Sequence, residues 1–94
     1  MQLGNKRMLD GDTYYQLGEL SFTQEKFEDA VKLFAKAAEL NPYEEAYREN
    51  LANAYLRLGE FNKSIEILNQ LIDIDKTRSV NAYYLRALAY LNLG

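Results

Sequence analysis

Displaced by 34 positions, the sequence sets Leu17-Gly18 over Leu51-Ala52, Phe27 over Phe61, Ala30 over Ser64, Phe34 over Leu68, Ala37 over Leu71 and Leu40 over Ile74. A displacement of 35 carries Ala52, Tyr55, Leu58 and Gly59 onto Ala87, Tyr90, Leu93 and Gly94. The one extra residue falls in a polar joint, Asp75-Lys76-Thr77-Arg78-Ser79, where an insertion costs little. No other feature restricts the fold so narrowly. A unit of about 34 residues with two helices cannot bury its apolar face alone, so successive units must stack side by side. The expected fold class is therefore all-α, a helical solenoid of antiparallel helix pairs.

The helix pair is clearest in the second unit. Leu51, Ala52, Tyr55, Leu56 and Leu58 recur at helical spacing, Gly59 interrupts, and Phe61, Ser64, Ile65 and Leu68 resume the pattern. Ala52 and Ser64 are small enough to let two backbones approach, while Phe61 and Leu68 supply bulk for the seam. In the first unit, Asp10, Asp12 and Thr13 are candidate caps for a helix running to about Ser21. Its apolar face reads Tyr14, Leu17, Gly18 and Phe22. Gly18 gives up roughly 1 kcal/mol of helix propensity against Ala, a cost that close backbone contact would justify. A second helix is expected over about 25–40. Asn41-Pro42 should end it and open a third over about 43–58, with Asn41 as N-cap and Pro42 at the first helical position. A fourth follows over about 61–74 and a fifth, capped by Thr77 or Ser79, over about 80–93. The expected organisation is a lead-in over 1–10 and one repeat domain over 11–94, with repeats at about 11–44 and 45–79 and a half repeat at 80–94.

The fifth segment is apolar almost all round, from Val80 to Leu93, and such a helix needs cover on more than one side. The expectation is that the natural chain continues into another helix. The alternative is that Tyr84, Leu85, Leu88 and Leu91 bury themselves against a second copy, giving a homo-oligomer.

In this register the chain resembles the tetratricopeptide repeat family. That pattern runs from a bulky aromatic through Leu-Gly or Leu-Ala, Tyr, and Gly before an aromatic, to Ala, an aromatic, Ala and Pro. The first repeat offers Tyr14, Leu17, Gly18, Phe27, Ala30, Phe34, Ala37 and Pro42. The second offers Leu51, Ala52, Tyr55, Gly59, Phe61, Ser64 and Leu68, and the half repeat Tyr83, Ala87, Tyr90 and Gly94. The chain departs from the pattern at five places. Ser21 stands for Tyr, Glu25 for the turn glycine, Arg48 for the bulky aromatic, Leu71 for a small residue and Lys76 for the proline. The resemblance, over about residues 11–94, implies five helices in about two and a half repeats. It also implies a protein–protein interaction scaffold whose concave groove receives a peptide or helix of a partner protein. The alternatives are a self-association module or a regulatory segment of a larger multi-domain protein.

By the same resemblance, the first helix of each pair lines the groove. That places Tyr15, Glu19, Glu49, Asn50, Asn53, Arg57, Asn81, Tyr84 and Leu88 on the partner-binding face. Asn50 and Asn53 have the amides to hydrogen-bond an extended peptide, Arg57 could hold an acidic group, and Tyr15, Tyr84 and Leu88 could shape side-chain pockets. Tyr14, Tyr55, Tyr83 and Tyr90 match packing positions instead. Some members of the family grip a chaperone's C-terminal carboxylate with a Lys/Asn/Arg clamp. The matching places here are Tyr15, Glu19, Asn50, Asn81 and Leu85, of which only Asn50 fits, and Glu19 would repel a carboxylate.

Composition removes the chemical alternatives. The chain has no His and no Cys, so the commonest acid–base residue and the thiolate nucleophile are both missing. The acid pairs Glu44/Glu45 and Asp73/Asp75 fall near helix ends, where they act as caps and dipole partners. No phosphate loop or metal-ligand spacing occurs, so no enzyme, metal or cofactor is expected. A net charge of -3 argues against a nucleic-acid surface, and no apolar run approaches the ~20 residues that cross a membrane. A cytoplasmic location is the default expectation. Asn62-Lys63-Ser64 spells a glycosylation sequon, but its Ser64 is expected in the helix seam.

Overall fold

Of the candidate caps, Asp10 is the one used. Its Oδ1 accepts a 2.8 Å hydrogen bond from the backbone N–H of Thr13, satisfying a donor the first turn would otherwise leave orphaned. The structure, a computed structural model, describes residues 10–74 and 80–94. Among these are five α-helices: α1 (Gly11–Thr23), α2 (Phe27–Leu40), α3 (Glu45–Leu58), α4 (Phe61–Ile74) and α5 (Val80–Leu93). The rest of the lead-in, and the joint with Lys76 and the candidate caps Thr77 and Ser79, lie outside the described residues.

The α1–α2 and α3–α4 turns share one backbone geometry. At Gly59 φ is +84°; its N–H reaches the Leu56 carbonyl at 3.0 Å, and the Glu60 N–H reaches that of Tyr55 at 2.9 Å. One repeat earlier, Glu25 adopts φ +62°, with its N–H to the Phe22 carbonyl at 2.9 Å and the Lys26 N–H to that of Ser21 at 2.8 Å. Both pairs return orphan carbonyls to the hydrogen-bond ladder. Only the first uses glycine; a left-handed glutamate costs about 1–2 kcal/mol. This turn also explains why α1 extends to Thr23 and α2 begins at Phe27 rather than at residue 25.

The α2–α3 connection differs from the expected cap. Asn41 ends α2 in an extended conformation, as a residue before proline prefers, and its carbonyl accepts from the Glu44 N–H at 3.2 Å. Pro42 and Tyr43 form the turn, and α3 starts at Glu45 with Glu44 at the cap position.

Consecutive helices pack along the chain, and α3 also touches α5; α1 has no comparable contact with α4 or α5. The core accordingly forms two cells in series. In one, Ala30, Phe34, Leu51 and Ala54 are joined by Tyr15, Phe22 and Tyr55; in the other, Ala52, Leu68, Leu71, Ile72, Ala82 and Leu85 pack together. Ile67 of α4 borders both. The repeat register survives in burial, since the aligned pairs Phe34/Leu68 and Ala30/Ser64 are all fully buried. The Ser64 hydroxyl donates to the Ala52 carbonyl at 2.8 Å, so this buried polar atom is satisfied; of the sequon only Ser64 is inside the fold, and Asn62 and Lys63 are exposed.

Several residues sit differently from their expected places. Phe61, at the start of α4, is only half-buried, and Leu68 fills the seam. Leu17 is 40% exposed, whereas its repeat mate Leu51 is 8% exposed because α2 lies against it. Tyr83 and Tyr90 are exposed on α5, and Tyr55, the repeat mate of Tyr90, packs against the Phe34 cell. Leu85, expected on a groove or self-association surface, is 4% exposed in the α3–α4–α5 core. Ala82, Leu85 and Ala89 share one helical face, and that face is the one α5 buries.

At Gly18, α1 packs tightly against side chains of α2. A Cβ there would lie 2.7 Å from both Cδ1 and Cε1 of the fully buried Phe34 and 3.3 Å from the Leu33 Cβ. Overpacking of this kind costs about 1–3 kcal/mol against a helix-propensity gain of about 1 kcal/mol. Gly18→Ala is therefore expected to destabilise by about 1 kcal/mol, read as a lower urea midpoint at unchanged slope. An increase in midpoint would show that Phe34 moves aside freely.

Candidate functional site

The inner faces of α1, α3 and α5 are joined by polar side chains beside their apolar packing. The ring of Tyr15 stacks on Tyr47 at 4.9 Å and meets Phe34 at 5.7 Å, which fixes its position on α1. Its hydroxyl accepts from Nδ2 of Asn50 at 3.1 Å and hydrogen-bonds Glu19. The same Nδ2 also donates to the Ala46 carbonyl at 2.9 Å, locking the amide against α3. From α5, Nδ2 of Asn81 donates to Oε2 of Glu49 at 2.8 Å. Four of the nine expected groove residues thus form cross-links, α1 to α3 through Tyr15–Asn50 and α3 to α5 through Glu49–Asn81, and a fifth, Glu19, bonds Tyr15 within α1.

The other four extend this face in different ways. Asn53 is half-buried on α3, one turn beyond Asn50. Tyr84 is 60% exposed one turn beyond Asn81, and Leu88 is half-buried a further turn along. Arg57 lies at the end of α3 with its guanidinium 4.9 Å from the centre of Phe27 and 5.4 Å from that of Phe22. It therefore braces α3 against the α1–α2 turn. Tyr47, which the sequence reading passed over, is buried under the network, and its hydroxyl donates to Oδ1 of Asp12 at 3.4 Å. The i, i+4, i+7 run Tyr47, Leu51, Ala54 carries the signal for it.

A small cavity of about 120 Å³ opens between α1 and α3, lined by Glu19, Phe22, Thr23, Phe34 and Asn50. Two larger clefts of about 380 Å³ each meet at Leu58, beside the α1–α2 and α3–α4 turns, and contain no groove residue. Burial pushes the Tyr15 phenol up to about 12, helped by its hydrogen bond to Glu19 and the charges of Glu19 and Glu49, against the bond donated by Asn50. Burial and then the nearby Asp12 carboxylate likewise push Tyr47 up. Among the described residues no group of three acidic, His or Cys side chains could hold a metal, and no helix is long and apolar enough to cross a membrane.

The sequence matches the tetratricopeptide repeat pattern over residues 21–91. The chain belongs to the tetratricopeptide repeat (TPR) family. It is 36% identical over 61 residues to the Hsp70-Hsp90 organising protein of Plasmodium falciparum, covering 65% of this chain and 24% of that protein. It is 33% identical over 73 residues to human serine/threonine-protein phosphatase 5, covering 78% of this chain and 14% of that protein. The chain thus spans less than a quarter of the length of these curated relatives. Its fold superimposes on the Arabidopsis OM64 TPR domain with a TM-score of 0.82 at 26% identity, covering 88% of this chain and 68% of that one. It matches the first TPR of Spaghetti (RPAP3), solved with the HSP90 peptide SRMEEVD, with a TM-score of 0.82 at 25% identity, covering 89% and 66%. As a TPR solenoid without strands among its described residues, the chain is a protein–protein interaction module.

The raised Tyr15 phenol makes TPR stability depend on pH in one direction. Unfolded tyrosine ionises near 10, so the folded state favours the neutral phenol more than the unfolded state does. That contribution is fully present below pH ~10 and is lost as pH rises from there toward ~12. Tyr15→Phe is expected to flatten the fall in stability across this window. Urea unfolding of both proteins at about pH 9 and about pH 11 checks it, and equal slopes would contradict the assignment.

Proposed function

We propose that this TPR module docks a peptide segment or helix of a partner protein on the face formed by α1, α3 and α5, as a non-enzymatic scaffold within a larger protein. The observation that carries this reading is the cross-linked polar line. Tyr15–Asn50 and Glu49–Asn81 hold three helices in one register, so the face is ordered before a ligand arrives. The exposed Tyr84 and the half-buried Asn53 and Leu88 then offer side-chain and backbone contacts beside it. The peptide seen on the RPAP3 relative supports peptide docking as the shared mode. An acidic C-terminal tail is a poorer fit, since Glu19 stands at the rim and, of the clamp places, only Asn50 has the required chemistry. A cytoplasmic location is part of this reading.

An immobilised peptide array, with the SRMEEVD peptide included, tests it. Asn53→Arg and Tyr84→Ala are expected to reduce the hits of the native chain about tenfold, while Glu66→Ala on the exposed side of α4 leaves them unchanged. Loss of hits with Glu66→Ala and not with the groove variants would move the docking face elsewhere.

A second reading, self-association through α5, is favoured by the exposure of Leu91 (76%) together with Tyr83, Tyr84 and Tyr90. Leu85 takes no part in it, being in the core. Light scattering of the native chain across rising concentration is expected to show a dimer that Leu91→Glu returns to monomer. A native chain that stays monomeric throughout removes this reading.

A further inference from the structure

The 120 Å³ cavity between α1 and α3 has a definite chemical polarity. Its walls are aromatic, from Phe22 and Phe34, and its polar groups accept rather than donate. Glu19 contributes a carboxylate on the exposed side of α1. The Thr23 hydroxyl is spent on the Glu19 carbonyl at 2.8 Å. Both hydrogens of the Asn50 amide are used, on the Tyr15 hydroxyl and the Ala46 carbonyl, so what Asn50 has left is its acceptor Oδ1. Among the described residues no Lys or Arg makes an ion pair with Glu19; the pairs present are Lys36–Glu39 and Lys63–Glu60. Arg57 is held over the aromatic rings and lies closer to Phe27, outside the cavity, than to Phe22, and no Lys or Arg lines the cavity.

Resting on the docking reading above, the geometry points to this cavity as the place where the partner segment inserts a lysine or arginine side chain. The aliphatic stem lies along the half-buried Phe22, as long cationic side chains do on apolar surface, and the head group donates to the Glu19 carboxylate and to Asn50 Oδ1. An aspartate or glutamate in the same place would meet a carboxylate and two acceptors with no donor. The partner is therefore a basic peptide segment, opposite in charge to the acidic peptide seen on the RPAP3 relative. Arg57 opposes the incoming cation at a distance, so its removal should help rather than harm.

The test uses amide chemical-shift titrations of the full 94-residue chain with three probes, the N-acetyl methylamides of lysine, norleucine and glutamate. At low salt the lysine probe is expected to move the Phe22, Thr23 and Asn50 amides and to bind about fivefold tighter than norleucine, the scale of an exposed ion pair. Glu19→Gln should erase that preference while keeping norleucine binding, and Arg57→Gln should strengthen the lysine probe. Equal binding of lysine and norleucine at these amides would leave the groove a docking face and overturn the charge preference. A stronger response to glutamate, weakened by Arg57→Gln, would reverse the assignment. Shifts confined to α2 and α4 would overturn both this site and the docking face. No shift with any probe would overturn the site.

Discussion

The close approach of paired helices depends on having almost nothing at one position. In the first repeat the ring of Phe34 lies where a Gly18 side chain would begin. In the second, Leu68 and Ala52 share one packed cell, and Ser64 comes near enough to bond the Ala52 carbonyl. Bulk on the second helix therefore meets a small residue on the first, in the same register twice. This contact sets how near the two axes lie. The short αL turns follow from it, because only a sharp reversal can bring the next helix back at that separation. Stacking follows too, since each pair leaves an apolar side that the next pair must cover.

Two departures from the family pattern carry local costs that the rest of the fold absorbs. Glu25 holds a left-handed conformation that Gly59 adopts without strain one repeat later. Arg48 stands where the family has a bulky aromatic, and its Nε and Nη2 are buried without a hydrogen-bond partner among the described residues. Burying such groups unpaired costs roughly 1–3 kcal/mol. Both lie beside well-packed cells, Glu25 next to the Phe22–Phe27 edge contact and Arg48 between Tyr47 and the buried Leu51. A small solenoid has little margin, so such sites are affordable only where neighbouring packing is good.

Periodicity made most of this fold legible. The limits of α4 and α5 agree with their expected spans, and Phe34 and Leu68 are the buried pair that the 34-residue register implies. What the sequence hid was anything decided by neighbours along the stack. Leu17 and Leu51 look alike in the repeat, but only Leu51 joins a buried cell. Tyr90 matches Tyr55, but only Tyr55 has a filled cell beneath it. The start of α3 was misplaced because the Asn41 carbonyl serves a turn to Glu44 instead of opening a helix. On the inner faces of α1, α3 and α5, the sequence did not reveal that Asn50 gives both its amide hydrogens to the protein. That depends on Tyr15 and Asn50 meeting across 35 residues of chain, a distance that no single-helix pattern records.

These commitments change what the groove can recognise. Free asparagine amides would offer donors and acceptors alike and read little beyond a peptide backbone. Once Asn50 and Asn81 donate inward, to Tyr15, Ala46 and Glu49, the surface left to a ligand is weighted toward acceptors. The Tyr15 phenol is raised first by its burial and then by the same arrangement, because a hydroxyl beside two carboxylates resists losing its proton. In the proposed docking mode, ordering the helices and choosing the ligand's charge are one act, performed by the same side chains. The proposed preference is opposite in charge to the peptide SRMEEVD solved on the RPAP3 TPR, although the fold is shared. In that mode specificity resides in which way a few amides point, and the close packing at Gly18 and Ala52 holds the helices that carry them.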